Sequence, residues 1–189
     1  MRILIVGAEG TVGSAVAREL GARHEIVKVG RKSGDLHADV ADRASIDALY
    51  RKAGKVDAVV SAAGTVHFGS LATMTEEQFM IGLRSKVMGQ VNLVLAGLPY
   101  VSEGGSFTLI SGVLNHDPIV SGAAAAAANA ALEGFVKGAS IEMPRRLRIN
   151  LVSPGLLEES VPKYGAYFPG HIPVPGTRVA RRLRISSIC

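Results

Sequence analysis

The sequence has few of the residues that mark several classes of protein. Among its 189 residues there is one cysteine and no tryptophan, and aromatic residues make up only 5%. A single cysteine, Cys189, cannot form an internal disulfide framework. We therefore expect the protein to lie in a reducing compartment, the cytoplasm. The longest largely apolar stretch, 87–101, is interrupted by Gln90 and Asn92 and is too short to span a bilayer. We expect no signal peptide, because a strand is predicted from residue 2, and we predict no metal site.

The basic charge lacks the pattern of a nucleic-acid surface. The formal net charge is +5, and much of it comes from arginines late in the chain, namely Arg145, Arg146, Arg148, Arg178, Arg181, Arg182 and Arg184. No aromatic residues are interleaved with them, so they predict a solvated basic face and no nucleic-acid partner. The hydrophobic content of 48% and the length are typical of one globular domain, predicted over residues 1–189.

The start of the chain has the pattern of a strand, a glycine turn and a helix. Residues 3–6 form a continuous apolar run that suits a strand buried on both faces. Gly7, Gly10 and Gly13 follow, and a helical apolar pattern then runs to Gly21. Such glycines let the backbone approach a pyrophosphate, and the first helical turn points free N–H groups at it. The pattern predicts a dinucleotide-binding unit; the alternative is an ordinary turn between a strand and a helix.

The end of the second predicted strand, 24–29, bears on the choice of cofactor. A carboxylate there would accept the ribose hydroxyls of NAD, but the position is Gly30, followed by Arg31, Lys32 and Ser33. Two cations and a hydroxyl suit the 2′-phosphate of NADP(H). The alternative is a basic surface turn. The same residues argue against a methyltransferase, which would also need an acid to hold a ribose.

The rest of the chain alternates strands and helices. Strands are predicted over 36–40, 56–61, 106–110 and 147–152, and helices over 45–53, from Thr75 to near Pro99, and over 121–137. This alternation indicates an α/β fold with a doubly wound parallel sheet and helices on both faces. Asp39 is placed to accept from an adenine amino group, and the small residues Ala62, Ala63 and Gly64 allow a cofactor to lie close.

Several blocks, in this order, resemble the short-chain dehydrogenase/reductase superfamily over roughly residues 2–156. They are the glycine turn, Asp39-Val40, Ser61-Ala-Ala-Gly64, Leu109-Ile-Ser111, Ala130-Ala-Leu-Glu-Gly-Phe135 and Arg148-Ile-Asn-Leu-Val-Ser-Pro-Gly155. The resemblance implies a Rossmann sheet of six or seven strands in the order 3-2-1-4-5-6(-7), with a nicotinamide cofactor along its C-terminal edge. One departure is that the family's usual second glycine falls at Thr11, with Gly10 in its place.

The residues and the resemblance together predict a cofactor site for NADP(H). Its predicted members are Gly7, Glu9, Gly10, Thr11, Val12, Gly13, Arg31, Lys32, Ser33, Asp39, Val40, Ala62, Ala63, Gly64, Ser111, Pro154 and Gly155.

A second departure concerns catalysis. Active members of the family use an Asn, a Ser, a Tyr and a Lys, in which the Tyr exchanges a proton with the substrate oxygen. The matching positions here are Lys86, Gly112, Ala125 and Asn129. A methyl group or a hydrogen cannot carry protons, so the family's chemistry cannot run on these positions in its usual way. In this respect the chain resembles a subgroup of the family that lacks these residues.

Other side chains could replace the missing donor. Lys86 could supply a cation near the cofactor ribose; the alternative is a solvated helix lysine. The predicted substrate loop, about 156–175, carries Tyr164, Tyr167 and His171, and His116 follows the fifth strand. Ser111 lies beside the usual serine position. The alternative for each aromatic or histidine is a loop or surface side chain.

The C-terminal tail and the long helices bear on assembly. Within the tail, 176–189, residues 179–189 are too short for both the final helix and the seventh strand that the resemblance implies, so either the edge of the sheet is missing or this short piece replaces it. An exposed sixth strand is a pairing liability that oligomerisation could cover. Family members commonly pack their two long helices, here about 75–98 and 121–137, against a second subunit. We therefore expect a homodimer or homotetramer and no membrane partner.

Two functions remain open from the sequence. The first is an NADP(H)-dependent oxidoreductase that acts on a small carbonyl or alcohol with substitute residues. The second is a catalytically silent NADP(H)-binding protein that serves as a sensor or as a partner in an assembly. The fold favours neither, because function depends on the site.

Overall fold

The computed structural model describes residues 1–188, and side chains as far as Leu183. Cys189 and the side chain of Arg184, both used in the sequence analysis, lie outside the described part. Six strands form one parallel sheet in the order β3-β2-β1-β4-β5-β6. The strands are β1 (Arg2–Val6), β2 (Glu25–Gly30), β3 (Leu36–His37), β4 (Val56–Ser61), β5 (Val101–Ile110) and β6 (Arg148–Val152). The predicted fold class and strand order are confirmed.

Helices connect successive strands and cover the sheet. They are α1 (Thr11–Gly21), α2 (Arg43–Ala53), α3 (Glu76–Gly82), α4 (Gly89–Gly97), α5 (Ala123–Ser140), α6 (Val161–Tyr164) and α7 (Gly176–Ile188). A π-helical turn, Leu83–Met88, joins α3 to α4, so the long helix predicted from Thr75 is continuous but contains a wide turn. Thr75 and Gln78 form the predicted capping box at its start. None of the described helices has the length and hydropathy needed to cross a membrane.

The alternating side chains of β1 face two cores. Leu4 and Val6 pack in a cluster with residues of α2, α4 and α5 on one face of the sheet. Ile3 and Ile5 pack on the other face with residues of α1 and α7. Because both faces are covered, residues 3–6 of β1 are all apolar and do not alternate with polar residues, as the sequence indicated.

Several elements begin or end differently from their predictions, notably β5, which begins at Val101 rather than at residue 106. Local hydrogen bonds explain two of the others. β3 stops at His37 because the chain turns at Asp39, whose N–H donates to Ser45 Oγ and whose carboxylate accepts from the N–H of Ala41. α2 begins at Arg43 rather than at residue 45 because the Asp42 carboxylate caps it by accepting from the N–H of Ala44.

The tail forms a helix and no seventh strand within the described residues. Val179, Ala180 and Leu183 of α7 are buried in the same cluster as α1. In the sheet as described, β6 pairs only with β5 and forms its edge. Of the late arginines in the sequence, Arg178, Arg181 and Arg182 are exposed, as predicted. Arg145 is also exposed, but its guanidinium donates to the carbonyl oxygens of Leu98 and Val101.

Close packing around Tyr50 gives a stability prediction. The Tyr50 hydroxyl donates to the carbonyl of Leu93 at 2.7 Å, and burial holds its pKa far above the usual range. A methyl group on Gly97 would lie 2.5 Å from the hydroxyl oxygen. We expect Gly97→Ala to lower the free energy of unfolding by about 1–3 kcal/mol through overpacking. Gly134→Ala on α5, where a methyl group meets nothing within 4 Å, is the matched control and should raise stability by up to about 1 kcal/mol. Urea denaturation of both variants tests this, and equal effects would contradict it.

Candidate functional site

A groove follows the C-terminal ends of the strands, where the strand order reverses between β1 and β4. This is where open parallel sheets bind ligands. It has two chambers that meet at Ala63, Gly64 and Thr65. The outer chamber, about 200 Å³, lies over β1 and β2, and the inner chamber, about 370 Å³, lies over β4, β5 and β6.

The structure brings most of the predicted site residues into this groove. In the outer chamber these are Gly7, Arg31, Asp39, Val40, Ala63 and Gly64. In the inner chamber they are Val12, Ala62, Ala63, Gly64, Lys86, Ser111, Gly112, Ala125, Asn129, Pro154, Gly155 and Tyr164. Glu9 and Gly10 belong to the turn between β1 and α1, and Thr11 and Gly13 to the first turn of α1. Lys32 and Ser33 belong to the turn after β2, and Tyr167 to the loop beyond β6.

The glycine turn opens the start of α1 toward the groove. Gly7 has a φ of 82°, and a methyl group on Gly13 would overlap the carbonyl oxygen of Gly7. Both positions therefore require glycine for the helix to leave the sheet so tightly. Gly10 precedes α1, and no side chain caps it. The first N–H groups of α1 are thus available to an anion, which fits a dinucleotide pyrophosphate.

The turn after β2 has free cations and one engaged hydroxyl. Arg31 and Lys32 are exposed, and neither has a hydrogen bond or ion pair within the described part of the chain. The Ser33 hydroxyl, however, donates to the Glu9 carboxylate. Glu9 therefore bridges the two turns and brings a negative charge close to the predicted phosphate position.

Lys86 lies in the π-helical turn and lines the inner chamber. Its Nζ donates to Asn129 Oδ1 at 2.8 Å and to the carbonyl of Ser111 at 3.0 Å. Burial lowers the pKa of this ammonium to about 8. Gly64, at a φ of 131°, contacts the backbone of Lys86 so closely that a methyl group would lie 2.7 Å from its Cα. Lys86 is therefore not a solvated helix lysine.

Gln90 holds the π-helical turn in place, and the sequence analysis did not identify it as a site residue. It is fully buried, and its amide donates to the carbonyls of Lys86 at 3.1 Å and Ile110 at 2.9 Å. Its Oε1 accepts from the N–H of Ile110 at 2.9 Å. The amide ties the helix to the end of β5, next to Ser111. The available signal was its position, because an amide inside an otherwise apolar helix run needs buried partners.

Comparison with known proteins identifies the family of this chain. A family model described as enoyl-(acyl carrier protein) reductase matches residues 7–167, most of the chain. The chain belongs to the short-chain dehydrogenase/reductase superfamily.

Individual proteins agree with this family. The protein lin1944 from Listeria innocua is 47% identical, with a TM-score of 0.98 over 100% of this chain and 94% of that one. The tetrahydroxynaphthalene reductase PfmaG from Pestalotiopsis fici is 29% identical over 183 residues, 80% of this chain and 64% of that relative. This chain thus spans about two thirds of such a relative's length. A small-chain dehydrogenase in complex with NADPH, 22% identical, shares the fold with a TM-score of 0.87 over 98% of this chain and 90% of that one.

The four positions that the resemblance matches to the family's catalytic residues, Lys86, Gly112, Ala125 and Asn129, all line the inner chamber. Ala125 is 2% exposed. A methyl group on Gly112 would lie 2.9 Å from Asn129 Nδ2, so a serine there would need Asn129 to move. Ser111 offers no free hydroxyl, because its Oγ donates to the backbone carbonyl of Asn129 at 3.1 Å.

Aromatic side chains close one side of the inner chamber. Phe68 packs on Tyr164, Tyr167 and Phe168 with ring centroids 5.4–6.3 Å apart. Tyr164 and Phe168 line the chamber, whereas Tyr167 is 39% exposed. A bridge between Leu157 and Val174 ties the two ends of the predicted substrate loop together.

The two candidate histidines have acidic partners. His171 packs edge-on against Phe168, with its Nδ1 3.5 Å from Asp117 Oδ2. His116 Nε2 lies 2.8 Å from Glu133 Oε2 on the surface of α5. Of the proposed substitute residues, Lys86, Ser111 and Tyr164 line the inner chamber.

The buried ammonium predicts a pH dependence of stability. The native state releases the Lys86 proton near pH 8, whereas an unfolded lysine does so near ~10.4. Between these values the unfolded chain binds more protons, so the free energy of unfolding rises with pH, by up to about 3 kcal/mol. Lys86→Met should remove this rise, and the exposed control Lys52→Met should keep it. Urea denaturation at pH steps from ~7 to ~10 tests this, since both variants share all other titrations. Parallel curves for the wild type and Lys86→Met would contradict it.

Proposed function

We propose that the chain is an NADP(H)-binding member of the short-chain dehydrogenase/reductase superfamily, a single domain over residues 1–189, whose groove lacks the family's proton-transfer residues. The observation that carries this proposal is the contrast between its two chambers. The outer chamber and the glycine turn keep an open helix start and free cations for a phosphorylated dinucleotide. The inner chamber has Ala125 where the family's tyrosine would stand.

The cofactor preference rests on charge at the end of β2. Arg31 and Lys32 are exposed and unpaired within the described residues, so they can bind a 2′-phosphate without breaking an existing contact. A protein of the same fold has been solved with NADPH, which supports this choice. Glu9 opposes it, because its carboxylate holds the Ser33 hydroxyl. The proposal therefore requires that the attraction of the 2′-phosphate to Arg31 and Lys32 exceeds its repulsion by the Glu9 carboxylate.

A bound NADPH would supply a hydride to a carbonyl carbon. The substrate oxygen would then need a proton, which the family's tyrosine normally provides. Here Ala125, whose side chain is a methyl group, lines the inner chamber at the position matched to the tyrosine. Asn129 occupies the position matched to the activating lysine. We infer that hydride transfer to ordinary small ketones lacks acid assistance at these positions.

A second function is supported by the same chamber. A protein that binds NADP(H) tightly and turns over slowly could report the redox state of the cofactor or serve as a partner in an assembly. The engaged hydroxyl of Ser111 and the methyl group of Ala125 favour this alternative, because neither can act on a substrate oxygen.

The cofactor assignment predicts unequal effects on two dinucleotides. Arg31→Ala should weaken NADPH binding roughly tenfold to hundredfold, because a charged hydrogen bond contributes ~1.5–3 kcal/mol. NADH binding should barely change. Glu9→Gln should strengthen NADPH binding by up to roughly fivefold, as expected for one exposed charge. Calorimetric titration measures these affinities, with Arg51→Ala on the far end of α2 as the control. Equal losses of both cofactors in Arg31→Ala would refute the assignment.

We also propose that the chain forms a homodimer or homotetramer through α3, α4 and α5. Met88 and Leu95, one heptad apart, are exposed by 46% and 47%, and Ile81 by 40%. In contrast, Ala124, Ala125 and Ala128 of the alanine run are buried within their own subunit. The exposed apolar side chains of the long helix therefore carry this proposal.

The assembly proposal predicts that charge at Met88 and Leu95 separates the subunits. The double variant Met88→Glu/Leu95→Glu should be monomeric by light scattering at micromolar concentration, because two buried carboxylates would face each other across the contact. Ile172→Glu, in an exposed loop at 87% exposure, is the control and should keep the wild-type mass. A monomeric wild type would contradict the proposal.

A further inference from the structure

We propose that Lys86, held in position by Asn129, binds the hydroxyl groups of the second ribose of the dinucleotide, the one that carries the nicotinamide. This inference rests on the proposed function and assigns one contact within it. It makes Lys86 a cofactor-binding residue and not a proton donor to a substrate.

The first argument is that Lys86 has an N–H left over. An ammonium has three donors, and two of them are used by the carbonyl of Ser111 and by Asn129 Oδ1. No third acceptor contacts it among the described residues. Because Lys86 itself lines the inner chamber, its remaining N–H is available to an oxygen of a ligand there.

The second argument is that the ammonium is not neutralised. Both of its acceptors are uncharged, and the described residues that line the inner chamber include no carboxylate. A buried cation with neutral partners gains from any further oxygen acceptor that a ligand brings. A pair of ribose hydroxyls offers such acceptors without adding a charge.

The third argument is position along the groove. Arg31 lines the outer chamber at the end of β2, and the glycine turn with the start of α1 lies between the chambers. A dinucleotide with its 2′-phosphate at Arg31 and its pyrophosphate at α1 extends its second ribose into the inner chamber. Lys86 is the buried cation of that chamber; Lys163, which also lines it, is exposed.

The fourth argument is that the surrounding structure fixes this side chain. The π-helical turn presents Lys86 to the chamber, Gln90 bonds its carbonyl, and Gly64 packs against its backbone. A π-helical turn at such a place is typical of functional sites. The two residues that form this hydrogen bond are also exchanged relative to the family. The resemblance implies an amide at residue 86 and a lysine at residue 129, whereas this chain has Lys86 and Asn129. The Nζ to Oδ1 distance of 2.8 Å shows that the two exchanged side chains are hydrogen-bonded to each other in this chain.

The exchange provides a direct test with two ligands. Affinities are measured for NADPH and for adenosine 2′,5′-bisphosphate, which has the phosphorylated adenosine but no second ribose. Lys86→Asn should weaken NADPH binding roughly tenfold, as expected for a lost charged hydrogen bond. The bisphosphate should bind within roughly twofold of its wild-type affinity, because it does not reach the inner chamber. The double variant Lys86→Asn/Asn129→Lys should recover NADPH affinity to within roughly threefold of wild type.

The outcomes separate this inference from the proposed function. Unchanged NADPH affinity in Lys86→Asn, or equal losses of both ligands, would overturn the role of Lys86 and leave cofactor binding intact. Failure of the wild type to bind either ligand would overturn the proposed function and this inference with it. Lys86→Gln, which keeps an amide donor for Asn129 and removes the charge, gives the same comparison if Lys86→Asn does not fold.

Discussion

The close contact between Gly13 and the carbonyl of Gly7 determines how α1 leaves the sheet, and the groove depends on it. Any side chain at Gly13 would overlap that carbonyl, so α1 would have to move away from β1. With the contact in place, the uncapped start of α1 lies between the two chambers. The buried pairing of β1 with β4 at the centre of the sheet then fixes both chambers relative to this helix.

On one side of this helix start the outer chamber has the features expected of a dinucleotide site, and on the other side the inner chamber has the residues on which the proposed function depends. Arg31, in the turn after β2, lines the outer chamber and has no partner among the described residues. The inner chamber contains a buried ammonium, two neutral acceptors and a methyl group, held together by Gln90. In our proposal this chamber binds polar oxygen atoms, and the proton transfer that the family uses lacks a donor at Ala125. Family membership therefore settles the fold and the class of cofactor, while the reaction depends on these few side chains.

Features with a local or periodic signal could be predicted from the sequence. The apolar runs gave the parallel strands, the resemblance gave their order, and the glycine spacing indicated the turn before α1. Features that depend on distant contacts could not be predicted. The bond between Ser33 and Glu9 joins residues 24 apart, and that between Lys86 and Asn129 joins residues 43 apart. The π-helical turn cannot be predicted from the helical periodicity of the sequence. It is stabilised by the Gln90 side chain, which donates hydrogen bonds to the carbonyl of Lys86 and to that of Ile110 on β5. Helix α7 was not predicted, because the tail was judged too short to contain both a final helix and a seventh strand. The described residues form the helix and no seventh strand.

The most direct test of the central claim is a single-turnover measurement of NADPH oxidation with a panel of carbonyl compounds, after cofactor binding has been established by titration. The account predicts saturable NADPH binding, with oxidation of ordinary ketones at least ~100-fold slower than in an active family member under the same conditions, since general acid help is worth ~10²–10⁴ in rate. Rapid oxidation by the wild type that is lost on mutating Tyr164, Tyr167, His171 or Lys86 would contradict it, because the groove would then contain a proton donor that this account denies.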